Sequence, residues 1–107
     1  MQRFASVIKL RPEKERDYRV LHAAVWSGVL AQIEKSNIRN YSIFVRDGLL
    51  FSYLEYHGED FAADMKRMAL DPETQRWWAL TDPCQEPVET ADPGEWWSPV
   101  EEIFHAD

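Results

Sequence analysis

The sequence predicts an α+β fold of the ferredoxin-like, split βαβ type, in which one antiparallel sheet carries helices on a single face. The first observation is the order of hydrophobic patterns along the chain, which runs strand, helix, strand, strand, helix, strand. The second is Asp47-Gly48, a two-residue hairpin signal that separates the two central strand patterns. Because the 107 residues contain no repeat or linker, a single domain is expected over residues 1–107.

The elements of the first half follow from local signals. Alternating apolar residues predict a strand from Arg3 to Leu10. A long helix is predicted from Pro12 to Lys35, because proline suits a first helical turn and apolar residues follow at helical spacing. Segments rich in β-branched and aromatic residues predict the hairpin strands, Ile38 to Arg46 and Leu49 to Tyr56.

The second half of the chain is predicted to contain two shorter helices and a final strand. One helix falls in the segment Gly58 to Leu70. Another begins at Asp71-Pro72, where aspartate suits the cap and proline the first turn, and it carries Trp77-Trp78. Prolines, a glycine and acidic residues predict a surface loop from Thr81 to Pro99, and alternation predicts a last strand from Val100 to His105.

The charge and the cysteine content of the chain limit the classes of partner that it can bind and the cell compartment in which it is expected. Twelve Lys+Arg against 19 Asp+Glu give a formal net charge of −7, which disfavours nucleic acid and anionic membranes as partners. No segment has the apolar length of a signal peptide or a membrane span, and the single cysteine, Cys84, cannot form an internal disulfide. A cytoplasmic location is therefore expected. Cys84 is expected to be inert, and no spacing of His, Asp and Glu indicates a metal site.

The hairpin strands carry apolar side chains on both faces. Phe51 and Tyr53 alternate with Leu50, Leu54 and Tyr56, although the predicted helices can cover only one side of the sheet. A second copy of the chain is the simplest cover for the other side. The sequence therefore predicts a homodimer in which two sheets pack face to face.

The best candidate for a functional site is the helical spacing of Tyr18, His22 and Trp26. Residues four apart lie on one helical stripe, so a phenol, an imidazole and an indole would face the same place. Histidine exchanges protons near neutral pH because its unperturbed pKa is about 6.5. Indole faces suit the C–H side of a sugar and phenols its oxygens, so the pattern indicates a sugar-binding acid/base site. His57 and His105 lack such aromatic neighbours, so surface or packing roles are expected for them.

These residues resemble the L-rhamnose mutarotase family, small dimeric α+β barrels that interconvert sugar anomers. The resemblance covers nearly the whole chain and rests on five matches in the same order: Tyr18-x-x-x-His22-x-x-x-Trp26, Asn40-Tyr41, Gln75-Arg76-Trp77-Trp78, Thr81-Asp82 and Glu102-Ile103-Phe104-His105. It implies a deoxyhexose substrate, no cofactor and a homodimer. It also implies that His22 is the general acid and that Tyr18, Tyr41, Trp77 and Trp78 bind the sugar.

Two segments depart from the family pattern. Ser27-Gly28 stands where members commonly have proline after the tryptophan, so the helix is expected to bend or pack differently there. The stretch from Pro83 to Pro87 differs from an Asn/Pro-rich family segment, which leaves L-fucose as an alternative to L-rhamnose. Trp96-Trp97 is expected to have a structural role, at the barrel end or against a partner subunit.

Alternative functions remain open from the sequence. Small dimeric α+β barrels also include cofactor-free monooxygenases and haem-degrading enzymes, in which a histidine and tryptophans are again prominent. A non-catalytic barrel that binds a small ligand would use the same aromatic residues without turnover. If His22 is not the acid, a tyrosine or a carboxylate such as Asp82 or Glu86 is the next candidate.

Overall fold

Five β-strands and four α-helices make up the computed structural model, which describes residues 1–107. The strands are β1 (Gln2–Leu10), β2 (Ile38–Arg46), β3 (Leu49–Tyr56), β4 (Gln85–Glu86) and β5 (Ser98–Val100). The α-helices are α1 (Glu15–Ala23), α2 (Ser27–Lys35), α3 (Phe61–Leu70) and α4 (Pro72–Thr81), and 3₁₀ turns cover Pro12–Lys14 and Asp82–Cys84. None of the helices has the length and apolar character needed to cross a membrane.

The strands form one antiparallel sheet. Its order is β2-β3-β1, and β4 and β5 both pair with β1 as well. Asp47 and Gly48 join β2 to β3 with φ angles of 49° and 74°. Two successive positive φ angles are typical of the tight turns that match strand twist, so the predicted hairpin is confirmed.

The two faces of the sheet differ in burial. Ile8, Leu10 and Leu50 are at most 3% exposed, and they form a core cluster with Tyr18 of α1. On the opposite face Phe44 and Phe51 remain 60% and 40% exposed. This difference confirms the predicted α+β class with helices on one side of an antiparallel sheet.

The long helix predicted from Pro12 to Lys35 is wrong as a single element. After the 3₁₀ turn, α1 ends at Ala23, and α2 begins at Ser27. Between them the backbone is not helical, with φ −145° and ψ 62° at Ala24 and φ −62° and ψ 139° at Trp26. Helical spacing continues through this segment in the sequence, so the break could not be read from the apolar pattern.

Tertiary packing favours the break between α1 and α2. It lets the Trp26 indole meet Trp77 edge-on, with ring centroids 5.2 Å apart. It also brings α2 against α4, where a Cβ on Gly28 would lie only 2.0 Å from Oε2 of Glu73. The glycine therefore admits the carboxylate close to the positive end of the α2 dipole, which stabilises the start of that helix.

The last strand is shorter than the predicted Val100 to His105. β5 covers Ser98–Val100, and residues 101–107 form no strand. Ile103 and Phe104 are 91% and 81% exposed. The chain leaves β1 after the Ala5–Val100 pair and is held there by the Arg3–Glu102 salt bridge. The alternating residues beyond it do not continue the pairing, although Gln2 to Phe4 of β1 have no partner on that edge.

Candidate functional site

A cavity of about 420 Å³ opens between the helices and the sheet face that they cover. Cavities that bind small molecules typically measure roughly 300 to 1,000 Å³. All five predicted site residues line it: Tyr18 and His22 from α1, Tyr41 from β2, and Trp77 and Trp78 from α4. The fold thus brings together residues that are separated by up to sixty positions in the chain.

The His22 ring is held from three directions. It stacks on Tyr18 with centroids 4.1 Å apart and meets the edge of Trp77 at 5.3 Å. Its Nδ1 lies 2.8 Å from the backbone oxygen of Tyr18. A carbonyl oxygen only accepts hydrogen bonds, so Nδ1 carries the hydrogen. Nε2 has no hydrogen-bond partner in the protein and is not sealed from solvent, which leaves it free to exchange a proton.

Two tyrosine hydroxyls belong to the cavity wall. Tyr18 is 4% exposed, and its hydroxyl accepts a hydrogen bond from Nε2 of Gln85 at 3.1 Å. Burial raises the pKa of Tyr18 well above its ordinary value, and the nearby Tyr41 adds to the shift. Burial of the hydroxyl also raises the pKa of Tyr41, although the residue as a whole is 41% exposed. Both groups therefore stay neutral and keep a hydrogen to donate.

A β-bulge in β2 gives Tyr41 its position. The pairing register with β3 shifts at Asn40 and Tyr41, so two residues of β2 occupy the place of one. The bulge lets Ile38, which is 2% exposed, and Tyr41 face the helices although they are an odd number of residues apart. Asn40 has φ 50°, and its Nδ2 donates to Oε1 of Glu55 at 2.7 Å. In the pair Asn40-Tyr41, the asparagine tolerates the positive φ angle that the bulge requires, and the bulge in turn positions the side chain of Tyr41.

The two tryptophans of α4 are not equivalent. Trp77 is 6% exposed and packs by its edges against His22 and Trp26. Trp78 is half-buried and lines the cavity without these ring contacts. Trp26 does not line the cavity, because it lies outside α1 and packs behind Trp77. The predicted stripe of three aromatic groups is therefore realised for Tyr18 and His22 only.

Several residues of the cavity wall were not predicted as site residues. Trp96 and Trp97 both line the cavity, so the purely structural role expected for them is incomplete. Gln85 joins them there, and its side chain connects Trp96 to Tyr18. The adjacent tryptophans and the loop prolines were visible in the sequence, but no spacing rule indicates that this loop returns to the cavity.

The carboxylates named as alternative acids lie in different places. Asp82 lines the cavity, and burial raises its pKa. Glu86 points instead to basic groups at the surface, with its oxygens 3.7 Å from Nζ of Lys9 and 3.2 Å from Nη1 of Arg11. Asp82 is therefore the only carboxylate of the pair that is available to a ligand in the cavity.

The fold is that of the dimeric α+β barrel class, and its aromatic cavity has the size of a small-molecule site. The family model described as L-rhamnose mutarotase matches residues 3–106, so the chain belongs to the L-rhamnose mutarotase family. Relatives include the L-rhamnose mutarotase of Oceanobacillus iheyensis, 27% identical over all of both chains. That of Shouchella clausii is 30% identical over 87% of this chain and 88% of its own. The family and the isomerase class predicted from the sequence are confirmed.

Solved structures share the fold. The L-rhamnose mutarotase from Formosa agariphila superposes with a TM-score of 0.78 at 20% identity and covers all of both chains. Tetracenomycin F2 cyclase from Streptomyces glaucescens, a type-II polyketide cyclase, gives a TM-score of 0.73 at 16% identity, covering 100% of this chain and 98% of its own. The same architecture therefore carries different chemistry in different proteins, and the function has to be argued from the cavity.

Proposed function

We propose that the protein interconverts the α and β anomers of L-rhamnose, with His22 as the general acid/base. The observation that carries this proposal is the His22 ring, fixed through Nδ1 and free at Nε2, in a cavity lined by neutral phenols and indoles. Membership of the L-rhamnose mutarotase family supports the sugar and the reaction. No cofactor is needed, because only protons move.

Anomer exchange requires the hemiacetal ring to open and close. A proton must reach the ring oxygen while another leaves the anomeric hydroxyl, and closure on the other face of the carbonyl gives the other anomer. In its imidazolium form, His22 delivers the first proton from Nε2 and takes it back on closure. The Tyr18 carbonyl accepts from Nδ1 in both protonation states, so the ring keeps its orientation throughout. The Asp82 carboxylate is the proposed acceptor for the proton of the anomeric hydroxyl, since burial raises the pKa of Asp82 and so makes the carboxylate a stronger base.

The remaining side chains suit a deoxyhexose. The hydroxyls of Tyr18 and Tyr41 each have a hydrogen to donate to a sugar oxygen. The faces of Trp77 and Trp78 offer flat apolar area for C–H groups and for the methyl of a 6-deoxy sugar. We propose that this combination selects a deoxyhexose, with L-rhamnose preferred over L-fucose.

The uncovered face of the sheet supports a homodimer. Phe44, Phe51 and Val100 remain 60%, 40% and 47% exposed there, a large apolar surface for a single chain. A second copy is the proposed cover, giving two sheets packed face to face. The free thiol of Cys84 accords with a proposed cytoplasmic location.

Saturation-transfer NMR tests the proposed activity because it measures exchange between the two anomeric proton signals directly. The wild-type protein should transfer saturation between the anomers of L-rhamnose at catalytic concentrations, and more slowly for L-fucose. His22→Asn should keep the fold and reduce exchange about 10²-fold or more, the loss expected for general acid/base catalysis. His105→Asn, the same change at a 40% exposed side chain in the C-terminal segment, is the matched control. A folded His22→Asn protein with undiminished exchange would refute the assignment.

A further inference from the structure

We infer that Gln85 and Trp96 are positioning residues that fix the Tyr18 hydroxyl as a hydrogen-bond donor to the bound sugar. The inference rests on the proposed function of the cavity and assigns roles to two residues outside the set of sugar-binding side chains described above. Gln85 lies in the Pro83–Pro87 stretch that departs from the family pattern, so the family resemblance says nothing about it.

The direction of each hydrogen bond in this chain follows from its chemistry. Nε1 of Trp96 lies 3.0 Å from Oε1 of Gln85, and an indole nitrogen can only donate. The amide atom that faces Trp96 must therefore be the oxygen, which settles the orientation of the whole amide group. Nε2 of Gln85 then faces Tyr18 and donates to its hydroxyl oxygen at 3.1 Å.

As a consequence, the roles of the Tyr18 hydroxyl as hydrogen-bond acceptor and as hydrogen-bond donor are assigned to different partners. Its oxygen accepts from Gln85, and its own hydrogen has no acceptor in the protein. Tyr18 is 4% exposed and lines the cavity, so a ligand oxygen is the available acceptor. The sugar oxygen that faces Tyr18 must then accept a hydrogen bond, as a hydroxyl oxygen of the sugar can.

Two features make the arrangement rigid. Gln85 is 3% exposed and pairs with Leu10 of β1 through its backbone, so its side chain starts from a fixed point. Trp96 lies eleven residues further on, and its bond to Gln85 ties the intervening loop to the cavity wall. The amide group of Gln85 is therefore fixed. A 180° flip would leave the Trp96 N–H and the amide nitrogen without hydrogen-bond acceptors, which is costly in a buried site.

Gln85→Glu is the discriminating variant because it preserves shape and reverses one bond. An ionised carboxylate accepts from both Trp96 and Tyr18, so the Tyr18 hydrogen turns away from the sugar. We expect kcat/KM for L-rhamnose exchange to fall about tenfold to a hundredfold at pH 8. Gln2→Glu, the same change at an exposed side chain without hydrogen bonds, is the control for the added charge.

The pH profile separates positioning from packing. Burial raises the pKa of a carboxyl group, and the protonated acid can again donate to Tyr18. The activity of Gln85→Glu relative to wild type should therefore recover by roughly tenfold between about pH 8 and pH 5.5. Tyr18, His22, Tyr41 and Asp82 are the other ionisable side chains of this cavity and are the same in both proteins, so the ratio to wild type at each pH is the measured quantity. A ratio that stays constant with pH would overturn the inference.

A second variant and a second readout keep the test independent of activity. Trp96→Phe retains a ring in the wall but removes the N–H that orients the amide, and a loss smaller than that of Gln85→Glu is expected. In ¹H–¹⁵N spectra the Trp96 indole signal of the wild type should shift when Gln85→Leu removes its acceptor. If the wild-type protein shows no anomer exchange, the proposed function is refuted. The Trp96 indole signal still tests the hydrogen bond between Trp96 and Gln85 in that case. An indole signal unchanged in Gln85→Leu would refute the positioning role.

Discussion

The unequal burial of Trp77 and Trp78 predicts that alanine at the two positions has different effects. Trp77 is 6% exposed and contacts the rings of His22 and Trp26 at 5.3 and 5.2 Å. Trp77→Ala should lower the free energy of unfolding by about 3–5 kcal/mol, the cost of emptying a buried tryptophan site. Trp78 is half-buried, so Trp78→Ala should cost roughly 1–2 kcal/mol and chiefly remove sugar contact.

Urea denaturation and the KM for L-rhamnose measure these two effects separately. Trp78→Ala should raise KM about fivefold, since stacking of this kind contributes on the order of 1 kcal/mol. Because a loss of 3–5 kcal/mol is a large part of the stability of such a domain, Trp77→Phe provides a folded alternative with the same direction of change. Equal losses of stability at the two positions, with equal shifts in KM, would show that burial does not divide their roles.

Two further predictions concern a hydrogen bond at the bulge and the uncovered face of the sheet. A hydrogen bond from Asn40 is the largest cause of the lowered pKa of Glu55, and a hydrogen bond from Tyr53 is the next largest. These bonds therefore stabilise the fold above the ordinary glutamate pKa, and their contribution is lost as pH falls through the lowered pKa. Asn40→Gly keeps the positive φ but not the bond, and chemical denaturation from pH 6 to pH 3 should give it a shallower loss of stability than wild type; parallel curves would contradict this. Light scattering should give the mass of two 12.6 kDa chains for wild type and of one chain when Phe44 and Phe51 are both replaced by lysine. A wild-type monomer at micromolar concentration would count against the dimer.

The hairpin and the cavity residues of α1 and α4 were predictable because their signals are local. Asp47-Gly48 requires two positive φ angles, and few other pairs tolerate them. Tyr18 and His22 share one short helix, so their four-residue spacing alone brings the rings together. Asp71 as the cap of α4 likewise accepts a hydrogen bond from the backbone of Thr74, as the sequence pattern indicates.

The errors occur where a distant part of the chain decides the local structure. Helical spacing continues from Pro12 to Lys35, but packing against α4 divides the helix and moves Trp26 away from the cavity. The segment Val100 to His105 alternates like a strand, but its pairing with β1 stops at the Ala5–Val100 pair. In both cases the apolar pattern is satisfied by more than one backbone conformation.

The sequence alone determined the elements with strong local signals and the chemical groups of the candidate site, because spacing, turn residues and side-chain type act within a few positions. Only the tertiary structure decided which nitrogen of His22 is free and how Gln85 joins Trp96 to Tyr18. Hydrogen bonds between side chains have donors, acceptors and angles that depend on three-dimensional placement. A linear pattern contains no information about that placement when the partners are 11 or 67 residues apart.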